Sequence, residues 1–409
     1  MSEIFSGDIW SSGEDKIRWV ESYMPILTQI RERFSKEKPF SGMRISTSIH
    51  LEAKTAVLIR TLIDGGADVR ASGCNTLSTQ DDVAAALDRY GAEVFAVHGE
   101  SDEDYKRHLT AALSHRPELI IDDGGDFISL LHSTAEEYGD RLIGGCEETT
   151  TGIMRLRSMI GRNALKYPMV NINDASCKHF FDNRYGTGQS TLDAVMHTTN
   201  LIIASKTVVV AGYGWCGRGI AMRARGMGAD VVVTEVDPVK AIEAVMDGFR
   251  VTSMDEVAPE GDIFITATGD IDVITKKHMK RMKDGVLLCN SGHFNVEISI
   301  PDLESLSVGS FERKPGIRGY RLADGRILNL LADGKLVNLA AGNGHPAEIM
   351  DLSFSLQALC LEHLAKNPKK APGLYPVPES INARVAALYL RSRGIKLDRL
   401  TAAQKKYLS

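Results

Sequence analysis

Residues 206–237, KTVVVAGYGWCGRGIAMRARGMGADVVVTEVD, constrain the fold more than any other stretch of the chain. Thr207 to Ala211 is a β-branched apolar run, long enough for a buried strand and far too short for a membrane span. Gly212, Gly214 and Gly217 follow in the spacing G-x-G-x-x-G, and the next segment reads as a helix. A second apolar run, Asp230 to Thr234, then ends on Glu235. Each part has a physical task in dinucleotide binding. Gly212 makes a tight turn, Gly214 leaves room for a pyrophosphate, and Gly217 lets the helix pack on the strand. The helix N-terminus offers free N–H groups to phosphates. Glu235 accepts from ribose hydroxyls and repels a 2′-phosphate. A glycine triplet alone is weak, but strand, turn, helix, strand and acid together predict a Rossmann unit that binds NAD.

A chain of 409 residues suggests two to three domains. The 48 basic and 53 acidic residues give a net charge of −5, with no basic tract, which argues against a nucleic-acid or membrane-surface partner. The six cysteines are scattered with no C-x-x-C pair, so neither a zinc site nor a disulfide framework is expected. Reduced thiols, a polar N-terminus and no apolar run of membrane length predict a cytoplasmic protein.

Residues 13–35 carry Ile17, Val20, Tyr23, Met24, Leu27 and Ile30 at helical spacing, which predicts one long amphipathic helix. From 42 to 126 the chain alternates strand candidates (MRISTSI, ADVRASG, EVFAVHG, ELIIDD) with helices over 52–64, 80–90 and 103–115. That pattern predicts an α/β domain with a mainly parallel sheet. Ligands of such sheets gather outside the carboxyl ends of the strands, and those ends carry polar clusters: His50, residues 75–80 and residues 122–126. Residues 178–190 read as a loop before a helix at 191–203. Strand–helix alternation is expected to continue to about Leu339, followed by a long helix and a basic, helical segment at 375–409. The glycines near 186 and 342 are candidate hinges.

The polar loops also carry a resemblance. HLEAKTAVLI, CNTLSTQDD, IDDGGD, EETTTG, NIND, KHFFDNRYG, AGYGWCGRG, TEVDP, CNSGHFNVE, LVNL and GHP stand in the order found in S-adenosylhomocysteine hydrolases. The chain resembles that family from about residue 15 to 408. The resemblance implies a discontinuous substrate domain (1–184 with 345–374), an NAD domain (185–344) and a C-terminal oligomerisation segment (375–409). It implies a homo-oligomer, dimer or tetramer, acting on a small nucleosidyl-homocysteine. The thioether has a poor leaving group, so the implied reaction oxidises C3′ with bound NAD+, removes the now acidic C4′ proton and eliminates homocysteine. Water then adds, and the ketone is reduced back.

The resemblance also assigns roles to residues. Lys178 and Asp182 match the pair at the 3′-hydroxyl, with Lys178 the base if burial or neighbours lower its pKa. Asp123 matches the group handling the C4′ proton, His50 the one managing protons at the 5′ position, and Glu148 the grip on the ribose hydroxyls. Without the resemblance these residues read differently: an exposed i,i+4 ion pair, a turn-forming aspartate, a structural histidine and a helix-capping segment. Asn173 and Asn183 match partners that orient the lysine and ribose. His293 and His345 match the cleft's histidines. Thr149, Thr150, Thr151, Asn183, Asn338 and His345 match NAD contacts, beside Gly212, Gly214, Gly217 and Glu235. No metal ligand is implied.

Four positions depart from the family pattern. Glu52 and Lys54 stand where the common adenosine enzymes carry threonine and glutamate, the latter accepting from the adenine amino group. Lys54 can only donate, which suits the O6 acceptor of hypoxanthine, and Glu52 suits its N1–H. S-inosyl-homocysteine is therefore the expected substrate. The alternative leaves both charges partly solvated at a helix start and keeps S-adenosyl-homocysteine. More distant readings are an ordinary NAD dehydrogenase or a silent NAD-binding relative. Thr187 replaces a cysteine common near the active site. Lys240 stands where an asparagine contacts the adenosine ribose of NAD. The sequence stops at Ser409, short of the extension many relatives have, which puts the tetramer contacts in question.

Overall fold

A computed structural model describes residues 2–408. The pattern over 13–35 resolves into two helices, Trp10–Glu21 and Pro25–Glu37, rather than one. Pro25 has no N–H to continue the ladder, so it opens the second helix at its first turn instead of prolonging the first. Ile17, Met24, Leu27 and Ile30 are buried as their spacing requires, whereas Tyr23 lies at the break and is exposed. The start of the second helix is held by Asp351, whose carboxylate accepts from the backbone N–H groups of Ile26 and Leu27 at 2.9 and 2.8 Å. Asp351→Ala strands both donors in the core. It should destabilise the protein by about 2–4 kcal/mol, which thermal or urea unfolding would measure, with Asp351→Asn closer to wild type.

The first half forms β1 (Arg44–Ser48), β2 (Asp68–Ser72), β3 (Glu93–Phe95), β4 (Leu119–Asp122), β5 (Gly144–Glu147) and β6 (Pro168–Asn171). The helices Ala53–Asp64, Asp81–Tyr90 and Asp102–Leu113 lie within two residues of their expected bounds. All six strands are parallel in the order β6-β5-β4-β1-β2-β3. The chain starts in the middle, runs out one way, then returns to build the other half. The point of reversal, between β1 and β4, is where doubly wound sheets open a ligand crevice.

The second sheet repeats this plan. It holds β7 (Thr207–Ala211), β8 (Asp230–Thr234), β9 (Arg250–Val251), β10 (Ile263–Thr266), β11 (Leu287–Asn290), β12 (Ser307–Lys314), β13 (Ile317–Leu322) and β14 (Ile327–Leu331). Its order is β12-β13-β14-β11-β10-β7-β8-β9, with the reversal between β7 and β10. Val208, Val209 and Val210 are all fully buried, because apolar clusters cover both faces of this sheet. The expected strand–helix alternation ends early: β12, β13 and β14 form an antiparallel meander, and only β14 rejoins the parallel array beside β11. Tight turns after Lys314 and Leu322 leave no room for crossover helices.

Two more expectations are corrected. Residues 178–190 are not a loop: His179–Gly186 winds as a π-helix that runs straight into the helix Thr187–Thr199. Glycines explain how this segment fits. A Cβ at Gly219 would sit 1.8 Å from the Arg184 carbonyl oxygen, and one at Gly188 would sit 2.5 Å from the Gly219 carbonyl. The C-terminal segment is not all helix either. β15 (Gly373–Pro376) pairs in parallel with β6 at the edge of the first sheet, before the helices Glu379–Ser392 and Ala402–Leu408. The long helix forms at Ala347–Lys366, as expected.

Candidate active site

The carboxyl ends of both sheets face one cleft of about 1030 Å³, at the upper end of single-ligand pockets, roughly 300–1,000 Å³. Every candidate residue named above lines it except Gly217, which lies beneath the glycine turn.

His50 follows β1 and Asp123 follows β4, so the switch point of the first sheet sets them side by side, with His50 Nε2 3.5 Å from Asp123 Oδ2. Ser78 Oγ lies 3.1 Å from the Asn75 carbonyl, to which it donates, and 2.8 Å from His50 Nδ1. With the serine hydroxyl donating to Asn75, its oxygen is placed to accept from Nδ1–H, the tautomer in which Nε2 carries the lone pair. Burial pulls the His50 pKa down to about 4, against the opposing pull of Asp123. The group sits below its unfolded value of 6.5, so the unfolded chain takes the proton first as pH falls from 6.5 through about 4, and stability declines in that window. An NMR titration should place the His50 ring midpoint near 4, not 6.5. From the second domain, His293 Nδ1 approaches Asp123 Oδ1 at 3.9 Å. A Cβ at Gly124 would lie 2.4 Å from the His293 ring, so only glycine admits this approach across the cleft.

The second cluster is built on the π-helix. Lys178, Asp182 and Glu148 are each at least nine-tenths buried, which rules out an exposed ion pair. Lys178 Nζ donates to Asn183 Oδ1 at 2.8 Å and lies 3.3 Å from Asp182 Oδ2 and 3.5 Å from Glu148 Oε1. Asn183 Nδ2 donates to Asn173 Oδ1 at 3.0 Å, which fixes the rotamer of the amide beside the lysine. Asp182 also accepts from Ser353 Oγ at 2.6 Å and pairs with His345 Nδ1. His345 Nε2 reaches Thr187 Oγ1 at 3.3 Å, so the threonine hydroxyl has a partner at the position where the family often carries a cysteine.

The electrostatics overturn the expectation that Lys178 has a lowered pKa. Burial does pull its pKa down, but Asp182 and Glu148 outweigh it and hold the ammonium above its ordinary range. Glu148 goes the other way: burial, with help from Asp182 and Asp123 and against Lys178, pushes its carboxyl well up, so it keeps a proton. Asp182 stays ionised, its burial overcome by Lys178 and His345. The resting cluster is therefore ammonium, carboxylate and carboxylic acid, with no free base at Lys178.

At the far end, Glu52 caps the helix Ala53–Asp64, its Oε2 accepting from Lys54 N at 3.0 Å. Lys54 Nζ lies 2.8 Å from the same Oε2 and donates to the Asn343 carbonyl at 2.7 Å. Both side chains are buried against the cleft rather than partly solvated. The third N–H of Lys54 and Oε1 of Glu52 are left to face a ligand, one donor beside one acceptor.

The glycine turn meets the requirements of a dinucleotide. Gly212 has φ +96°, and Gly214 opens onto empty space where a Cβ would touch nothing within 4 Å. The helix Trp215–Gly226 begins there, its first-turn N–H groups aimed at that space. Glu235 follows β8, with Oε2 accepting from Tyr213 N at 2.6 Å, a bond that ties the acid to the glycine turn. Across the cleft, Thr149, Thr150 and Thr151 form the start of the helix Thr150–Gly161. Asn338 Nδ2 donates to Ser190 Oγ at 3.0 Å, while its Oδ1 is buried with no partner, as is Glu148 Oε2. Buried oxygens without a partner at a cleft are hydrogen-bonding groups that a ligand can satisfy. Lys240 lies at the rim, half exposed and 3.9 Å from Asp237.

Reading the sequence alone missed Cys74, whose Sγ donates to Asp123 Oδ2 at 3.4 Å, as well as Ser353 and Ser190. Ser353 had a signal: with Ser355 and Gln357 it is a polar residue in the apolar middle of the long helix, and all three are fully buried.

Fold and site together define an NAD-binding enzyme in which a second doubly wound domain faces the cofactor domain across one cleft. Residues 6–144 match the profile of S-adenosyl-L-homocysteine hydrolase, and residues 183–344 match that of its NAD-binding domain. S-inosyl-L-homocysteine hydrolase of Methanocaldococcus jannaschii is 53% identical over 100% of this chain and 98% of its own. Adenosylhomocysteinase of Thermococcus kodakarensis is 55% identical, over 97% of this chain and 94% of its own, and that of Aquifex aeolicus is 54% identical over 97% and 96%. The chain belongs to the S-adenosyl-L-homocysteine hydrolase family. It is an NAD-dependent hydrolase of a homocysteine thioether.

Proposed function

We propose that the chain reversibly hydrolyses S-inosyl-L-homocysteine to inosine and L-homocysteine, as the by-product-removing step of methyl transfer. The observation that carries the nucleobase reading is the buried Glu52–Lys54 pair, with its acceptor and donor on the cleft wall. Hypoxanthine offers O6 to Lys54 and N1–H to Glu52. Adenine in the same pose sets its amino group against the ammonium and its N1 against the carboxylate, leaving two buried groups unpaired. Each costs about 1–3 kcal/mol. Relatives of similar identity carry the adenosyl name, which supports adenosyl-homocysteine as the alternative. The double replacement Glu52→Thr with Lys54→Glu should shift the ratio of kcat/KM toward the adenosyl substrate by at least ~10-fold. An unchanged ratio would show that this pair does not read the base.

NAD+, when bound, supplies a hydride acceptor for the ribose C3′ and returns the hydride within the same turnover. Gly212, Gly214, Gly217, Glu235, Lys240, Thr149, Thr150, Thr151 and Asn338 are the residues proposed to hold it, with Asn183 and His345 at the end nearest the substrate. Lys178 positions the 3′-oxygen. It can accept the hydroxyl proton only after passing its own to the Asp182–His345 pair, a change substrate binding has to bring about. Glu148, holding a proton on a carboxyl with one free oxygen, both donates to and accepts from the ribose diol. Asp123 takes the C4′ proton once C3′ is a ketone. His50 Nε2, unprotonated and facing the cleft, moves the proton between the leaving sulfur and the attacking water. Burial of these groups excludes bulk water while the ketone exists.

The division into 1–184 with 345–374 and 185–344 belongs to the same reading, since the first part carries β1 to β6, the second carries β7 to β14, and each supplies one wall of the cleft. Residues 375–409 are proposed as a subunit contact in a dimer or tetramer, supported by exposed Leu397, Leu400, Tyr407 and Leu408. No helix among the described residues is long and apolar enough to cross a membrane, and a cytoplasmic location is the reading that composition supports.

A further inference from the structure

Three side chains that no sequence motif connects meet at the switch point of the first sheet. His50 follows β1, Cys74 follows β2 and Asp123 follows β4, and their donor atoms all lie within 4.8 Å of one another. Cys74 Sγ is 3.4 Å from Asp123 Oδ2, and His50 Nε2 is 3.5 Å from the same oxygen. A tetrahedral ion with M–S near ~2.3 Å and M–N and M–O near ~2.0 Å needs S···O and N···O edges of about 3.5 and about 3.3 Å. The two edges at Asp123 lie close to these lengths, and the His50–Cys74 edge, within 4.8 Å, is the one left to close about an ion.

The chemistry of the three groups agrees. With its proton on Nδ1 and bonded to Ser78, the imidazole presents the Nε2 lone pair, and a hydrogen bond at the far ring nitrogen is how metal-bound histidines are usually oriented. A thiolate, a carboxylate and a neutral imidazole cancel the charge of a dication, so the filled site buries no net charge. Sulfur and nitrogen select soft or borderline ions over Mg2+ and Ca2+, which need more oxygen ligands.

We propose that His50, Cys74 and Asp123 capture one thiophilic divalent cation of the Zn2+ or Cd2+ class, with its fourth position open to the cleft, and that capture reversibly stops hydrolysis. On binding, the Cys74 S–H bond breaks and its proton leaves to solvent. The sulfur electron pair forms the metal–sulfur bond, and nothing is oxidised or reduced. The ion occupies the His50 lone pair and the Asp123 carboxylate, the groups assigned to the 5′ and C4′ protons, so it inhibits rather than assists. Inhibition rests on those assigned roles; binding does not.

The holoenzyme titrated with Cd2+ alone, in a non-chelating buffer, tests both parts. The expected result is one ion per chain, an ultraviolet thiolate-to-cadmium band, about one proton released per ion, and loss of homocysteine release that EDTA restores. Cys74→Ser should abolish the band and raise the half-inhibitory Cd2+ concentration at least ~100-fold, while Cys289→Ser, on the other sheet, should respond as wild type. If Cys74→Ser does not fold, His50→Ala keeps the thiol and should weaken Cd2+ binding at least ~10-fold. Wild-type Cd2+ affinity in either His50→Ala or Cys74→Ser would overturn the site. Stoichiometric Cd2+ binding through Cys74 with homocysteine release intact would overturn the inhibition and count against the roles given to His50 and Asp123.

Discussion

Lys178→Ala should lower homocysteine release by roughly 10²–10⁴-fold, the range expected when a group that moves or holds a proton in the transition state is removed. The loss should fall on kcat more than on KM, because Glu148 and the two asparagines still bind the ribose. A second consequence follows from charge. Lys178 neutralises Asp182 and sits 3.5 Å from Glu148, so removing it leaves Asp182 with only His345 and Ser353 as partners in a buried site. Lys178→Arg keeps that charge but cannot deprotonate. It should therefore fold like wild type yet remain slow, whereas Lys178→Ala should be both slow and less stable. Steady-state kinetics and thermal unfolding of the two variants separate proton handling from charge balance. Near-wild-type kcat in Lys178→Arg would remove the lysine from proton transfer.

Gly217→Ala should cost the protein its cofactor. A Cβ at this position would lie 1.8 Å from the Gly212 carbonyl oxygen, a backbone atom that cannot swing aside as a flexible side chain would. The helix Trp215–Gly226 must back away from β7, which carries its N-terminal N–H groups off the pyrophosphate position. NAD retained after gel filtration should fall at least ~10-fold, with activity falling in parallel and partly restored by excess NAD+. Gly214→Ala is a useful contrast. Its Cβ meets open space in the protein itself, so the protein should fold normally and any loss of NAD would come from the ligand side. Full NAD retention in Gly217→Ala would mean that the helix does not set the phosphate position.

Much of this was legible in the sequence because the signals were local. The strand, glycine turn, helix and acid of 206–237 are contiguous and dictate each other's geometry, and the same holds for the short buried strands of the first half. The helix break was missed although Pro25 signals it, because the apolar spacing continues across the proline and reads as one helix. The π-helix was not legible: KHFFDNRYGTG carries turn-forming residues, and its winding depends on the close approach of Gly219, which only the packed structure supplies. The ionisation of Lys178 was equally hidden, because spacing places one carboxylate beside it while the second, Glu148, arrives from another strand. Cys74 shows the same limit. Isolated in the sequence, it meets His50 and Asp123 only because parallel strands in doubly wound order bring three separate loops to one point.

The central claim is that a homocysteine thioether is cleaved in a site whose Glu52–Lys54 wall reads hypoxanthine. Homocysteine release by the wild-type enzyme from S-inosyl- and S-adenosyl-L-homocysteine, assayed side by side, tests it most directly. A kcat/KM at least ~10-fold higher for the inosyl substrate, with no net NADH accumulation, is the result this account predicts. Equal or faster turnover of the adenosyl substrate would contradict the base reading and leave an adenosylhomocysteinase.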